Sequence, residues 1–271
     1  MSSHSPLLEV YDEQLRGRAA FGTVPGVRIE LEDIVVRAIG LHLQGMVSAT
    51  DLKRLGPSGW DCLVGRQIEV YSALKQPFEW KTWSHDHPQE FLSRLESFGF
   101  VRGETETVMI ARVAEVDRSV TPPAGVHLRT ATSAADFARL GTLLTAVFGE
   151  DMREQAEAYR AMVEAFPNSV SVLAAEVGDE WVSSARAEFV EGTDFCTLWG
   201  GSTLPAWRSR GIYRALVSRR AQLAANRGLT FLEVDALPTS RPILERLGFV
   251  AVTTTTPFLW SPPPAQIWPE G

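Results

Sequence analysis

Cysteine is scarce in this chain: Cys62 and Cys196 are the only two among 271 residues. Two cysteines cannot build a disulfide framework, and neither has neighbours at metal-ligand spacing, so both are expected to be small buried apolar residues. Long apolar runs are missing as well. The strongest, such as Ile34-Val35-Val36, are broken by charge far short of a membrane-crossing length. An excess of basic residues is also absent. Lys and Arg total 26 against 33 Asp and Glu, a formal charge of −7, which argues against general nucleic-acid binding, whose footprint is a basic patch. That acidic balance favours a cationic amine as partner. No G-x-x-x-x-G-K-[ST] loop occurs, which removes the P-loop route to nucleotide binding. Residues Met1–Pro6 are polar and carry no signal-peptide pattern. The expectation is a cytoplasmic protein with no membrane, nucleic-acid or metal partner.

What is present is enough hydrophobic sequence, 45% of 271 residues, for two ordinary domains. Punctuation falls at Thr121-Pro122-Pro123-Ala124-Gly125, between the apolar run Val108–Val113 and the next strand-like segment, Val126–Arg129. The division expected is a domain over residues 1–120, a second over 126–261, and a Pro-rich tail over 262–271. The two halves also repeat. Leu63-Val64-Gly65-Arg66 aligns with Leu216-Val217-Ser218-Arg219, and the match runs without a gap to Phe78 and Phe231. After a four-residue insertion in the first copy, Leu95–Val101 falls on Leu244–Val250, and upstream Thr50 falls on Thr203. A repeat of this kind points to two tandem copies of one fold.

In the second half, Ser133 with Asp136 three residues on is an N-cap signal for a helix to about Phe148. Phe137, Leu140, Leu143, Leu144 and Val147 give it one apolar face. A second helix is expected over Met152–Ala165. Three strands, Ser169–Val177, Trp181–Val190 and Phe195–Thr203, are joined by turn residues as an antiparallel meander. A helix over about Gly211–Asn226 closes at Gly228. A strand over Phe231–Asp235 and a short helix ending at Leu247 follow. Between the meander and the third helix lies the turn Arg208-Ser209-Arg210-Gly211-Ile212-Tyr213-Arg214. Unpaired N–H groups at a helix start, the positive end of its dipole and three arginines together suit a phosphate group.

This stretch resembles the GCN5-related N-acetyltransferases, the GNAT family. Their R/Q-x-x-G-x-G/A motif reads here Arg208-Ser209-Arg210-Gly211-Ile212-Tyr213, Thr203-Leu204-Pro205 matches the family's strand end, and Leu247-Gly248-Phe249 matches its L-G-F ending. The resemblance implies two GNAT-like α/β (α+β) domains, each a mixed, mostly antiparallel sheet flanked by helices. It implies acetyl-CoA as cosubstrate, held by Thr203, Leu204, Arg208, Ser209, Arg210, Gly211, Ile212, Tyr213, Arg214 and Ser240. It implies acetyl transfer to a primary amine of a small molecule or peptide by direct attack in a ternary complex, in a monomer or homodimer. The other reading with the same fold is a non-catalytic acyl-CoA sensor or interaction module.

Two positions depart from the pattern. Tyr213 replaces a glycine or alanine, and Leu244 replaces the tyrosine that many members use to protonate the thiolate. In the first copy Leu55-Gly56-Pro57-Ser58-Gly59-Trp60 stands where the basic turn should be, so one working site per chain is expected. The resemblance makes the backbone N–H of Leu204 the oxyanion donor. No acidic residue lies on Phe195–Thr203, so Asp235, at the end of the following strand, is the candidate general base; capping the next turn is its other role. Glu176 and Glu188 face either the cleft or solvent, and His127, on the first strand of the second half, is read as structural rather than catalytic. Trp199-Gly200-Gly201 marks either an acceptor pocket or a bulge. His85-Asp86-His87 lacks a third metal ligand at supporting spacing.

Overall fold

The structure is a computed structural model that describes residues 5–17, 24–40 and 44–263. From residue 264 onward the Pro-rich tail lies outside the described residues. The chain runs α1 (Pro6–Gln14), β1 (Arg28–Glu32), β2 (Val35–Ile39), β3 (Gly45–Ala49), α2 (Pro57–Ala73), β4 (Phe78–Trp83), α3 (Gln89–Ser97), β5 (Val101–Arg102) and β6 (Glu106–Arg112). It continues with β7 (His127–Thr130), α4 (Ala134–Phe148), α5 (Arg153–Ala165), β8 (Val170–Val177), β9 (Glu180–Phe189) and β10 (Phe195–Thr203). Last come α6 (Ile212–Asn226), β11 (Phe231–Ala236), α7 (Arg241–Arg246) and β12 (Val250–Trp260). Among the described residues no helix is long and apolar enough to cross a membrane.

Two compact units result: Thr107–Val252 with Met1–Pro25, and Gly26–Glu106 with Thr253–Gly271. This division does not follow the boundary expected at residues 121–125. The reason is strand pairing. Strand β6 lies antiparallel to β11, with Phe231 opposite Arg112, and so belongs with the later elements. The Thr255–Trp260 part of β12 lies antiparallel to β4 and completes the earlier sheet. Periodicity identifies a strand but does not name its partner.

The larger unit has strand order β6-β11-β10-β9-β8-β7, antiparallel except for β10 and β11. Alternation along β8 sends Val172 and Ala174 to one face and Leu173 and Ala175 to the other. Helices α4 and α5 cover the first set through Phe137, Leu140, Leu144 and Ala156. Helix α6 covers the second through Ile212 and Leu216.

Helix α4 begins with the expected cap. The Ser133 hydroxyl accepts from the Asp136 N–H, and Asp136 accepts from the N–H of Ser133 and Thr132 and from Arg129 at 2.7 Å. Burial pushes the Asp136 carboxyl up, but these hydrogen bonds and the Arg129 charge outweigh it and leave its pKa below the usual aspartate value. A carboxylate held low in the fold stabilises it above the unfolded pKa and loses that contribution as pH falls through the folded one. Asp136→Asn is therefore expected to cost about 1 kcal/mol near neutral pH, with the difference from the parent shrinking in acid as pH falls below the usual aspartate range. Urea unfolding at neutral and at acid pH measures it; an equal loss at both would contradict the assignment.

The smaller unit has order β1-β2-β3-β4-β12, with β5 on β12 and only β3 and β4 parallel. Its core is aromatic: Tyr71 stacks on Phe78 at 4.3 Å, and Trp80, Phe91 and Phe100 surround them. The repeat read from sequence reappears in hydrogen bonds. After α3, Gly99 N–H donates to Glu96 and Phe100 N–H to Leu95; after α7, Gly248 N–H donates to Glu245 and Phe249 N–H to Leu244. On the aligned helices, Gln67 Nε2 donates to the Leu63 carbonyl and Arg220 Nε to the Leu216 carbonyl. One expectation fails here. Cys62 is exposed, because Trp60, Val64, Gln67 and Tyr71 form the buried face of α2 and leave it outside.

Candidate active site

Strands β10 and β11 part early. Their parallel pairing covers Phe195–Thr197 against Phe231–Glu233, and β10 then runs six residues further, to Thr203, without β11. A bulge between Trp199 and Ser202 adds to the divergence. Gly200 takes φ +60°, and a side chain at Gly201 would put its Cβ 3.0 Å from the Tyr213 ring. The two glycines therefore permit both the bulge and the seating of Tyr213 on β10. In the smaller unit the pairing of β3 with β4 continues to Ser48, one residue short of the end of β3. No comparable wedge opens there.

The basic turn stands at the end of the splayed strand. A single 3₁₀ turn, Pro205–Trp207, carries the chain from β10 into it. Arg208 Nε donates to the Thr203 carbonyl at 3.1 Å, and the Arg210 guanidinium lies over the Trp207 ring at 4.7 Å. Gly211, at φ +86°, is the N-cap of α6; no side chain caps the helix among the described residues, and the first helical hydrogen bond is Ala215 N–H to Gly211 O. The N–H groups of Ile212, Tyr213 and Arg214 thus sit at an uncapped, positive helix end between exposed Arg208, Arg210 and Arg214. Ile212 itself is buried and contributes only backbone.

On the opposite face of the sheet a cavity of about 110 Å³ lies under α4 and α5 and reaches β10 at Gly200 and Ser202. Leu140, Leu144, Met152 and Tyr159 wall it from the helices; Ser184 and Arg186 of β9 form its polar edge. Arg186 donates to Glu188 at 2.8 Å and stacks over Tyr159 at 4.4 Å. Burial lowers the Arg186 pKa, yet Glu188 and Tyr159 more than offset this, so the guanidinium stays charged. The sequence offered only Trp199-Gly200-Gly201 as a pointer to this cavity; Arg186 and Tyr159 carried no motif.

Residues 138–249 match the acetyltransferase (GNAT) family. The matched residues take in the splayed strands and the basic turn. Solved structures share its fold at low identity. A GCN5-related N-acetyltransferase from Kribbella flavida superposes with a TM-score of 0.67 at 13% identity, covering 96% of each chain. A tandem GNAT protein from the clavulanic acid biosynthesis pathway gives 0.63 at 11% identity, covering 91% of this chain and 86% of the other. A GCN5-related N-acetyltransferase from Sphaerobacter thermophilus gives 0.62 at 14% identity, covering 84% of this chain and 76% of the other. None of the curated proteins matches the sequence.

Within the GNAT domain several expected residues take other roles. The Leu204 N–H donates to the Val182 carbonyl at 3.0 Å, so the sheet engages it and it is not the cleft-facing donor. Backbone groups alternate along a strand, and Thr203, opposite Ser183, therefore points its N–H and C=O away from β9. The bond from Arg208 to the Thr203 carbonyl marks the same side. Of the two adjacent amides, that of Thr203 is the one turned away from β9.

Asp235 lies two residues beyond the last β10–β11 pair, half-buried and opposite Val108 on β6. Glu188 is committed to Arg186, and Glu176 lies 3.5 Å from Arg129. His127 is exposed on β7. The Ser240 hydroxyl donates to the Leu237 carbonyl in the turn before α7. Leu244 is fully buried in the core with Val217 and Val234, where it serves packing. Burial pushes the Tyr213 phenol above its usual pKa, against the pull of the Arg220 charge, and pushes the Cys196 thiol up to about 12, leaving it inert.

The smaller unit holds nothing equivalent to the basic turn. Helix α2 begins with Pro57, two residues sooner in the alignment than α6, and Gly56 is its N-cap. Lys53 Nζ donates to the His85 carbonyl, and Arg54 pairs with Asp33 and Asp51. The His85 ring engages the Thr253 hydroxyl at 2.7 Å and the His87 ring the Pro88 carbonyl at 3.0 Å.

Proposed function

We propose that the protein is an N-acetyltransferase that passes the acetyl group of acetyl-CoA to a primary amine of a small molecule or peptide by direct attack in a ternary complex. One observation carries the reading: the uncapped start of α6, with its three arginines, stands at the end of the wedge between β10 and β11, inside the GNAT domain. The pyrophosphate would take the N–H groups of Ile212, Tyr213 and Arg214, with Arg208 and Arg210 beside it. The acyl arm would lie along the free edge of β10. There the Thr203 N–H would stabilise the oxyanion, a contribution of about 3 kcal/mol per donor.

The amine nitrogen attacks the thioester carbon, the C–S bond breaks, and CoA leaves as the thiol once protonated. Asp235 would take the amine's proton through water. With Leu244 in the core, the thiolate's proton comes from solvent or from Tyr213. The larger unit provides the working site, and the smaller one is structural.

Thiol release with a panel of primary amines tests the chemistry. Steady, amine-dependent release identifies an enzyme. Saturable acetyl-CoA binding without release from any amine would identify a sensor instead.

A further inference from the structure

The cavity beneath α4 and α5 narrows the acceptor. It shares Gly200 and Ser202 with the bulged end of β10, the strand whose other edge carries the Thr203 N–H. A molecule seated in it would present its nitrogen, past the side-chain-free Gly200, to a thioester lying on β10. The lining decides what that molecule is. Most of it is apolar, and among the described residues Arg186 is its one charged member, with no carboxylate in the wall. Glu188, the acid beside Arg186, is already held by it. A second ammonium group would meet a guanidinium and hydrocarbon with no counter-ion, and burying an unpaired charge is strongly unfavourable.

We infer that the acceptor is a primary amine borne on a compact apolar body, branched aliphatic or single-ring, with no second cation. This rests on the acetyltransferase reading and specifies its substrate class. It runs against the sequence-level indication, since a chain charge of −7 favours cationic partners. The volume agrees with the chemistry. A cavity of about 110 Å³ is somewhat below the ~150 Å³ apolar cavity that accommodates benzene, and suits about five carbons of branched alkyl. Phe148, 57% exposed at the rim, extends the apolar surface outward for a ring. The same walls favour the neutral, nucleophilic form of the amine, because low polarity and a nearby positive charge both disfavour the ammonium.

The test compares isopentylamine with putrescine, which are similar in size but differ by a second ammonium. Binding to the protein saturated with CoA is measured by calorimetry, which needs no turnover. Isopentylamine is expected to bind at least about 100-fold more tightly than putrescine. Leu144→Phe, which fills the cavity, should weaken isopentylamine at least about tenfold. Phe148→Ala, at an exposed position that tolerates truncation, should weaken it by about threefold to tenfold. Acetyl-CoA affinity should be unchanged in both variants, since neither touches the basic turn. Equal or tighter binding of putrescine, no binding of isopentylamine, or indifference to both substitutions would overturn the inference. Were acetyl-CoA itself not to bind, the acetyltransferase reading would fail. Isopentylamine titrated without CoA would still report on the cavity separately.

Discussion

Replacing Arg208 and Arg210 together by glutamate is expected to weaken acetyl-CoA binding at least about 100-fold, since each charge-assisted hydrogen bond to phosphate contributes about 1.5–3 kcal/mol. Both side chains are exposed, so the fold should persist, and an unchanged unfolding midpoint is the control. Arg208 also holds the Thr203 carbonyl; its loss frees the end of β10 and adds to the effect. The paired substitution Lys53→Glu with Arg54→Glu, just before the corresponding place in the smaller unit, should change affinity less than about twofold. There the helix start carries proline and the cations are engaged by His85, Asp33 and Asp51. Equal losses from both pairs would sink the claim of a single site.

The second large effect is a contrast between adjacent amides. Leu204 has φ −52° and precedes Pro205, so proline fits its backbone, and Leu204→Pro removes the hydrogen bond to Val182 together with part of the side chain's packing against the two adjoining cores. With the most active amine found in the thiol-release panel, Leu204→Pro should lower kcat less than about threefold, with about 2–3 kcal/mol of lost stability. An oxyanion donor removed at that position would instead lower kcat about 10²- to 10³-fold. Such a loss would return the donor role to Leu204. Thr203→Pro is expected to show that large loss itself, read as kcat at saturating acetyl-CoA so that a binding defect is separated from a chemical one.

Much of this was legible in the chain. The capping signal at Ser133 and Asp136, the meander and the helix opening at Gly211 are local features, encoded by residues a few positions apart. The repeat was legible too, because Leu63–Gln67 and Leu216–Arg220 must make the same helical contacts. What sequence could not supply was partnership across distance. Nothing in Val108–Val113 announces that it pairs with β11, or in Thr253–Trp260 that it pairs with β4, so the boundary fell in the wrong place. Which of the Thr203 and Leu204 amides turns away from β9 was not legible, because alternation fixes a direction only once the neighbouring strand is known. The acceptor cavity was invisible for the same reason. Its arginine comes from β9, its hydrocarbon from two helices and its floor from a bulge, and none is adjacent in sequence. Cys62 was misjudged because composition predicts average burial, whereas the face of α2 decides it.

The central claim is one acetyl-CoA site per chain, at the start of α6. Calorimetric titration of the purified protein with acetyl-CoA tests it most directly. Saturable binding at one site per chain, with an affinity of about 1–100 μM (roughly −8 to −5 kcal/mol), and its loss in the Arg208→Glu, Arg210→Glu variant are the predicted result. No binding, or two sites per chain, or binding that survives both glutamates, would contradict it, and absence of binding would mean that Tyr213 closes the wedge.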